Sequence, residues 1–245
     1  MNSLIKILKF LGISRSSFGL YQRNKNRNMK SCYEHLKSLN FYPKTIIDVG
    51  VASGTPELSS TFPKSFFYLI EPLSHFKNAN MNFLKTHTGE LVSAAAGKIS
   101  GNTQINVHDD HLEGSSILQE AMGEKADGHK EFVKIITLDS IFVDKKLETP
   151  TLLKIDVQGT ELDVLRGFKK HIKLVDVIVL EASAFKFMKG SPEIYDIISF
   201  MKNYEFVVYD IVIGWYRPLD NALGQIDIFF VKENGKFRKS HDYSN

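Results

Sequence analysis

Four segments each end an apolar run with a residue able to do chemistry. Ile47-Asp48-Val49-Gly50 runs into Val51-Ala52-Ser53-Gly54-Thr55, a glycine-bearing turn, and Leu69-Ile70 is followed by Glu71-Pro72. Lys154-Ile155-Asp156-Val157-Gln158-Gly159 carries another acid, and Val179-Leu180 stops at Glu181. A glycine turn with a carboxylate 21 residues beyond Gly50 suits adenosine, because the acid accepts hydrogen bonds from both ribose hydroxyls. Read as G-x-G-x-x-G from Gly50, the second glycine is Ala52 and the third is Thr55. The second glycine lets backbone approach a pyrophosphate, so Ala52 argues against a nicotinamide dinucleotide. Asp48 adds a carboxylate that would repel a diphosphate but suit a cationic sulfonium, which makes S-adenosylmethionine the expected cofactor. No Gly-Lys-Ser/Thr follows the turn, so a kinase-type phosphate loop is excluded.

These residues need strands to present them. Thr45–Val49, Phe66–Ile70, Leu91–Ala96, Leu152–Val157, Val177–Leu180, Phe206–Ile213 and Ile226–Val231 read as strands, most of them continuous apolar runs suited to burial on both faces. Helix signals lie between several of them. Thr55-Pro56-Glu57 and Thr160 start two helices, residues 74–86 make another, and Ser191-Pro192-Glu193 caps one whose inner face is Ile194, Ile197, Ile198 and Met201. Strands alternating with helices predict a mainly parallel, doubly wound sheet. Only the Gly214–Gly224 loop separates the last two strands, so they are expected to form an antiparallel hairpin. Thr103–Val107 and Phe132–Ile136 flank a Gly-, His- and Asp-rich stretch, read as an insertion at about 98–136 beside the active face.

Several segments together resemble the FkbM family of S-adenosylmethionine-dependent methyltransferases. They are Ile46-Ile47-Asp48-Val49-Gly50, Ile70-Glu71-Pro72, Thr137-Leu138-Asp139-Ser140, Lys154–Glu161 with Val164-Leu165-Arg166-Gly167, and Gln225–Phe230. The resemblance runs in order through residues 45–232. It implies a Rossmann-like α/β class I methyltransferase fold, with a mostly parallel seven-stranded sheet whose last strand is antiparallel. It also implies O-methylation of a hydroxyl on a sugar, glycoconjugate or secondary metabolite. Val51-Ala52-Ser53 departs from the commoner family turn, and Gln158 stands where Glu is commoner.

Within that frame Gly50, Ala52 and Gly54 would admit the methionine part of the cofactor, Glu71 with Pro72 would hold the ribose, and Asp48 would orient the turn and reach the cofactor ammonium through water. Asp156 is expected to face both the sulfonium and the acceptor, with a carboxylate capping the next helix as its rival reading. Glu161, in that helix's first turn, and Glu181, which ends an apolar strand, are the other catalytic candidates. Methyl transfer is mostly positioning, and a general base for a poorly nucleophilic hydroxyl adds roughly 10²–10⁴-fold. His108-Asp109-Asp110-His111 offers a further base but no closed ligand set, so no metal is expected. Ser115 and Ser116 are read as bordering the cofactor.

Composition sets the limits. The 245 residues are 43% hydrophobic and 24% charged, the make-up of a globular chain with a sizeable core. The single Cys32 cannot form an internal disulfide, so a reducing, cytoplasmic setting is the expectation. No run approaches the roughly 18 apolar residues of a spanning helix. Residues 1–30 hold seven bases and no acid, leaving 24 bases against 28 acids in 31–245. The chain is thus read as a basic amphipathic arm over 1–30 and a single domain over 31–245. Leu4–Leu11 would form a helix packed on the body, with peripheral membrane or partner contact as the alternative. A catalytically silent Rossmann-like module docking through this arm is the competing function. The acidic body lacks interleaved bases and aromatics, and no Asn/Asp-Pro-Pro-Tyr/Phe segment occurs, so no nucleic-acid partner is expected. The expected partner is a small-molecule or glycan acceptor, and a homo-oligomer is compatible with the sequence.

Overall fold

Two five-residue strands set the architecture, β1 (Thr45–Val49) and β7 (Thr151–Ile155), each buried along its whole length. They pair in parallel from Thr45 opposite Thr151 to Val49 opposite Ile155. The structure is a computed structural model, and it describes residues 27–123 and 126–242. The helix read at Leu4–Leu11 lies outside the described residues.

From β1 the chain winds outward through α2 (Pro56–Thr61), β2 (Phe66–Ile70), a 3-10 turn at Ser74–Phe76, α3 (Lys77–Phe83) and β3 (Gly89–Val92). On the other side β7 leads through α5 (Glu161–Arg166) to β8 (Val177–Ser183) and α6 (Ile194–Asn203). The hairpin β9 (Phe206–Tyr216) and β10 (Leu223–Lys232) follows, and the sheet order is β3-β2-β1-β7-β8-β10-β9. Only β10 runs antiparallel to its neighbours, as the sequence predicts. The order reverses between β1 and β7, and ligands of such sheets bind beyond the carboxyl ends at that point. α1 (Met29–Ser38), capped by Asn28, buries Cys32, Tyr33 and Leu36 against one face of the sheet, while α5 and α6 cover the other.

Three readings change. The run Leu91–Ala96 is two strands, because the chain leaves the main sheet after Val92 and β4 (Ala95–Ala96) joins a second sheet of order β4-β6-β5. That sheet is completed by β5 (Gly101–Val107) and β6 (His129–Ile136), with the short helix α4 (Leu138–Ile141) following. The hairpin strands run past Gly214 and Gly224, leaving a loop of residues 217–222 closed by Arg217 and Asp220. Finally, α6 is capped by Glu193 with Asp196 rather than by Ser191, whose buried hydroxyl donates to the Met188 carbonyl at 2.9 Å. Ile198 points outward on that helix, while Ile197 and Met201 are buried.

Candidate active site

The first strand must hand its turn to a crowded neighbour. A Cβ on Gly50 would overlap the carbonyl oxygen of Asp156, and its φ of +75° is one that glycine adopts at little cost. Asp156 N–H donates to Val49 O at 3.0 Å, so the ends of β1 and β7 are stitched together. Behind the turn, Asp48 Oδ2 accepts from the Thr55 hydroxyl at 2.8 Å while its Oδ1 is buried without a hydrogen-bond partner. Burial raises the Asp48 pKa, against the pull of Lys154 and Thr55. Asp48 is only 2% exposed and lines neither cavity at these strand ends, so it holds the turn through Thr55 and does not face a cofactor directly.

One cavity lies between the two sheets, walled by Ile70, Ala94, Ile105 and Leu112, with Glu71 and Pro72 at its edge. Glu71 is committed on both oxygens, accepting from Ala52 N–H and Leu73 N–H at 2.8 Å each. Burial raises its pKa, and those two donors oppose the shift. A carboxylate oxygen has two lone pairs, so each keeps one for a ligand hydroxyl. Thr160 also borders this cavity, its hydroxyl buried without a partner and making no capping bond.

The second and larger cavity, about 570 Å³, meets the first at Gly50, Ala52 and Glu113 and is lined by Gly54, Asp156, Glu161 and Glu181. Asp156 accepts from Lys154 Nζ at 3.1 Å and from the Gln158 amide at 2.9 Å. The same amide donates to Glu181 at 2.7 Å, bridging the two acids. The helix-capping rival for Asp156 therefore finds no support. Burial opposes ionisation of Asp156, but the Lys154 ammonium and hydrogen bonds from Glu181, Lys154 and Gln158 outweigh it and hold the pKa below the usual range. Glu181 goes well above its ordinary value, through burial first and the Asp156 charge second. This pair divides into an ionised acid and a proton-holding one. Ala52 and Gln158, at φ 45° and 56°, place non-glycine residues in left-handed backbone on the two loops that meet here.

Glu161 lies beneath this group, accepting from Gly159 N–H at 2.8 Å, and burial pushes its pKa up to about 7. Because the folded state holds this proton more tightly than an ordinary glutamate, the stability it contributes is full below about pH 4 and is lost as pH rises through about 7. Glu161→Gln keeps an acceptor for Gly159 and cannot ionise. Urea unfolding should show the variant gaining stability relative to the natural chain between about pH 5 and about pH 8. Parallel stability curves would overturn the shift.

The insertion closes over both cavities. Glu113 accepts from the Ser53 hydroxyl at 2.9 Å, and the Ser116 hydroxyl donates to Gln158 O at 2.7 Å. Ser115 borders the smaller cavity while Ser116 lines neither, and His108 and His111 line the larger one. Asp109 pairs instead with His129 at the surface and Asp110 is exposed. No metal-binding cluster occurs among the described residues. Lys154, Gln158 as a bridge, Phe187 and Trp215 are site residues that the sequence reading does not single out. Lys154 alone leaves a trace there, as a cation inside a run buried on both faces.

The profile of the Methyltransferase FkbM domain matches residues 48–208. No curated protein matches the chain. Among solved structures, a methyltransferase FkbM from Methylobacillus flagellatus KT is 16% identical with a TM-score of 0.48, over 76% of this chain and 43% of that one. The chain thus spans less than half the length of that protein. An S-adenosylmethionine-dependent methyltransferase from Clostridium acetobutylicum ATCC 824 gives 11% identity and a TM-score of 0.47, covering 94% and 98% of the two chains. The magnesium protoporphyrin IX methyltransferase of Synechocystis PCC 6803, solved with bound SAM, gives 9% and 0.45 over 89% and 92%.

Proposed function

The chain belongs to the FkbM methyltransferase family, and from that premise we propose that it is an S-adenosylmethionine-dependent O-methyltransferase. Its acceptor is a hydroxyl on a sugar, glycoconjugate or secondary metabolite. The observation that carries this reading is the meeting of two chemically different cavities at Gly50 and Ala52. The smaller has apolar walls for a base, free lone pairs on Glu71 for ribose hydroxyls and an unpartnered hydroxyl on Thr160. Those features fit the cofactor's nucleoside. Gly54 opens on the larger cavity, where a Cβ would meet no protein atom, leaving room for the methionine part.

When bound, S-adenosylmethionine supplies a methyl carbon on a sulfonium. Asp156 and Glu181 then orient the acceptor hydroxyl toward the junction of the cavities. Gly50, Ala52, Gly54 and Glu71 would hold the cofactor, which would supply the methyl group to the acceptor oxygen at the expense of its carbon–sulfur bond and leave as S-adenosylhomocysteine. The alkylated oxygen is far more acidic than any carboxylic acid, so even Asp156, held below the usual carboxylate range, suffices to take the proton. Lys154 keeps Asp156 charged for that task.

Calorimetric titration with S-adenosylmethionine, S-adenosylhomocysteine and NAD tests the reading, with binding of the first two alone expected. Hydrogen bonds to a charged group are worth about 1.5–3 kcal/mol, so Glu71→Ala should weaken S-adenosylmethionine about 10–100-fold. Unchanged affinity in that variant would remove Glu71 from the ribose.

A further inference from the structure

The carboxylates occupy the floor of the larger cavity, and a different chemistry forms its wall. Phe187, Met188 and Trp215 line that side together with Gln225. Trp215 sits near the end of β9 and is 42% exposed. Its ring is nevertheless fixed from three directions. The register of the hairpin shifts between Leu223 and Gln225, and the indole lies across Gly224, where any Cβ would collide with it. The indole N–H donates to the Gln225 side-chain oxygen. Phe187 packs against it with ring centroids 5.2 Å apart and planes 36° apart.

We propose that Trp215 is a preset stacking platform and that the acceptor is a saccharide, lying with an apolar C–H face on the indole and a hydroxyl directed to Asp156. This rests on the hydroxyl-methylation reading above and names the acceptor class within it. An aromatic face carries partial negative charge and attracts weakly positive C–H groups. A ring already locked by Gly224, Gln225 and Phe187 loses little freedom when a ligand lands on it. The floor decides between saccharide and phenol. Asp156, Gln158, Glu161 and Glu181 offer four polar side chains in one cavity. A phenol has one hydroxyl for them, whereas a sugar ring has several around its edge and apolar C–H patches on its faces.

Trp215 is the single tryptophan of the sequence, so its emission reports on this wall alone. The full chain would be titrated with methyl α-D-mannopyranoside and methyl α-L-rhamnopyranoside, with glycerol as a ring-free control and p-cresol as a planar one. Fluorescence and calorimetry would be read together. A saturable emission change with a saccharide is expected, absent with glycerol. Calorimetry should show saccharide affinity about tenfold weaker in Trp215→Ala. Gly224→Ala, which displaces the indole without removing it, should give the same loss. S-adenosylmethionine affinity should change far less in both variants, because Trp215 is absent from the cavity that would hold the nucleoside and its ribose partner Glu71. Saccharide binding that survives Trp215→Ala unchanged overturns the platform. Silence from both saccharides alongside binding of p-cresol overturns the acceptor class while leaving O-methylation intact. Failure of S-adenosylmethionine to bind in the same samples strikes the cofactor reading, and a saccharide response there still upholds the platform.

Discussion

Asp156→Asn should lower the turnover of methyl transfer by about 10²–10⁴-fold while S-adenosylmethionine binding stays within the same order of magnitude. The substitution is isosteric, and its remaining oxygen can still accept from Lys154 Nζ, 3.1 Å away in the natural chain. What it loses is the anion. The new amide also opposes the Gln158 amide, which now donates to Asp156 at 2.9 Å, so Gln158 must turn and release Glu181. The acceptor thus faces neither a base nor the ordered pair of acids. Asp156 lies outside the smaller cavity, whose apolar walls and Glu71 would hold the nucleoside, so most of the cofactor's contacts are untouched by the substitution. Single-turnover rates and calorimetry measured together check the separation. A rate within tenfold of the natural chain would move the base elsewhere in the cluster.

Lys154→Met should cost about 3–5 kcal/mol of stability near neutral pH, the usual penalty for removing one partner of a buried ion pair. Lys154 lies only 7% exposed between Asp156, at 3.1 Å, and Asp48 Oδ1, at 4.0 Å. Its own pKa is raised: burial works against the charge, but Asp156 and Asp48 more than restore it. With methionine there, both carboxylates lose their counter-charge and their folded-state pKa values rise. Stability then falls as pH climbs through those values, so the deficit should be largest at neutral pH and shrink toward about pH 4. Urea unfolding across that range measures it. A deficit that does not change with pH would mean the loss is one of packing, not charge.

The strands that place the site are legible because β1, β2 and β7 are largely apolar runs, broken by no more than one charged residue each, and such runs lie in the middle of a parallel sheet. Glu71 and Asp156 follow from the same logic, as the acids just beyond the carboxyl ends of β2 and β7, whereas Glu181, expected to end its strand, lies inside β8, which runs on to Ser183. The split of Leu91–Ala96 is not legible, since the pull on Ala95 and Ala96 comes from β6, forty residues later, with Ala95 opposite Ile135. Gly214 and Gly224 look like loop residues by type, and only the shifted register shows Gly224 making room for a ring. Lys154 is visible as an oddity, but its role depends on lying opposite Asp48 across β1 and β7. The Gln158 bridge depends on side-chain direction at a left-handed residue, which composition does not encode.

The excursion from the main fold between residues 98 and 136 starts and finishes at one place, where Gly97 N–H donates to Ile136 O at 2.8 Å. A segment whose two ends are already joined can change length at its far end at little further entropic cost. Its tip supplies His108, His111, Glu113 and Glu120 to the acceptor cavity, while Gly50, Ala52 and Glu71 come from the ends of the main strands. The same excursion also supplies Ile105, Leu112 and Ser115 to the smaller cavity, so most changes along it reach both. A change confined to His108, His111 or Glu120 is the kind that reshapes the larger cavity while leaving the smaller one, and the sheet beneath both, as they are.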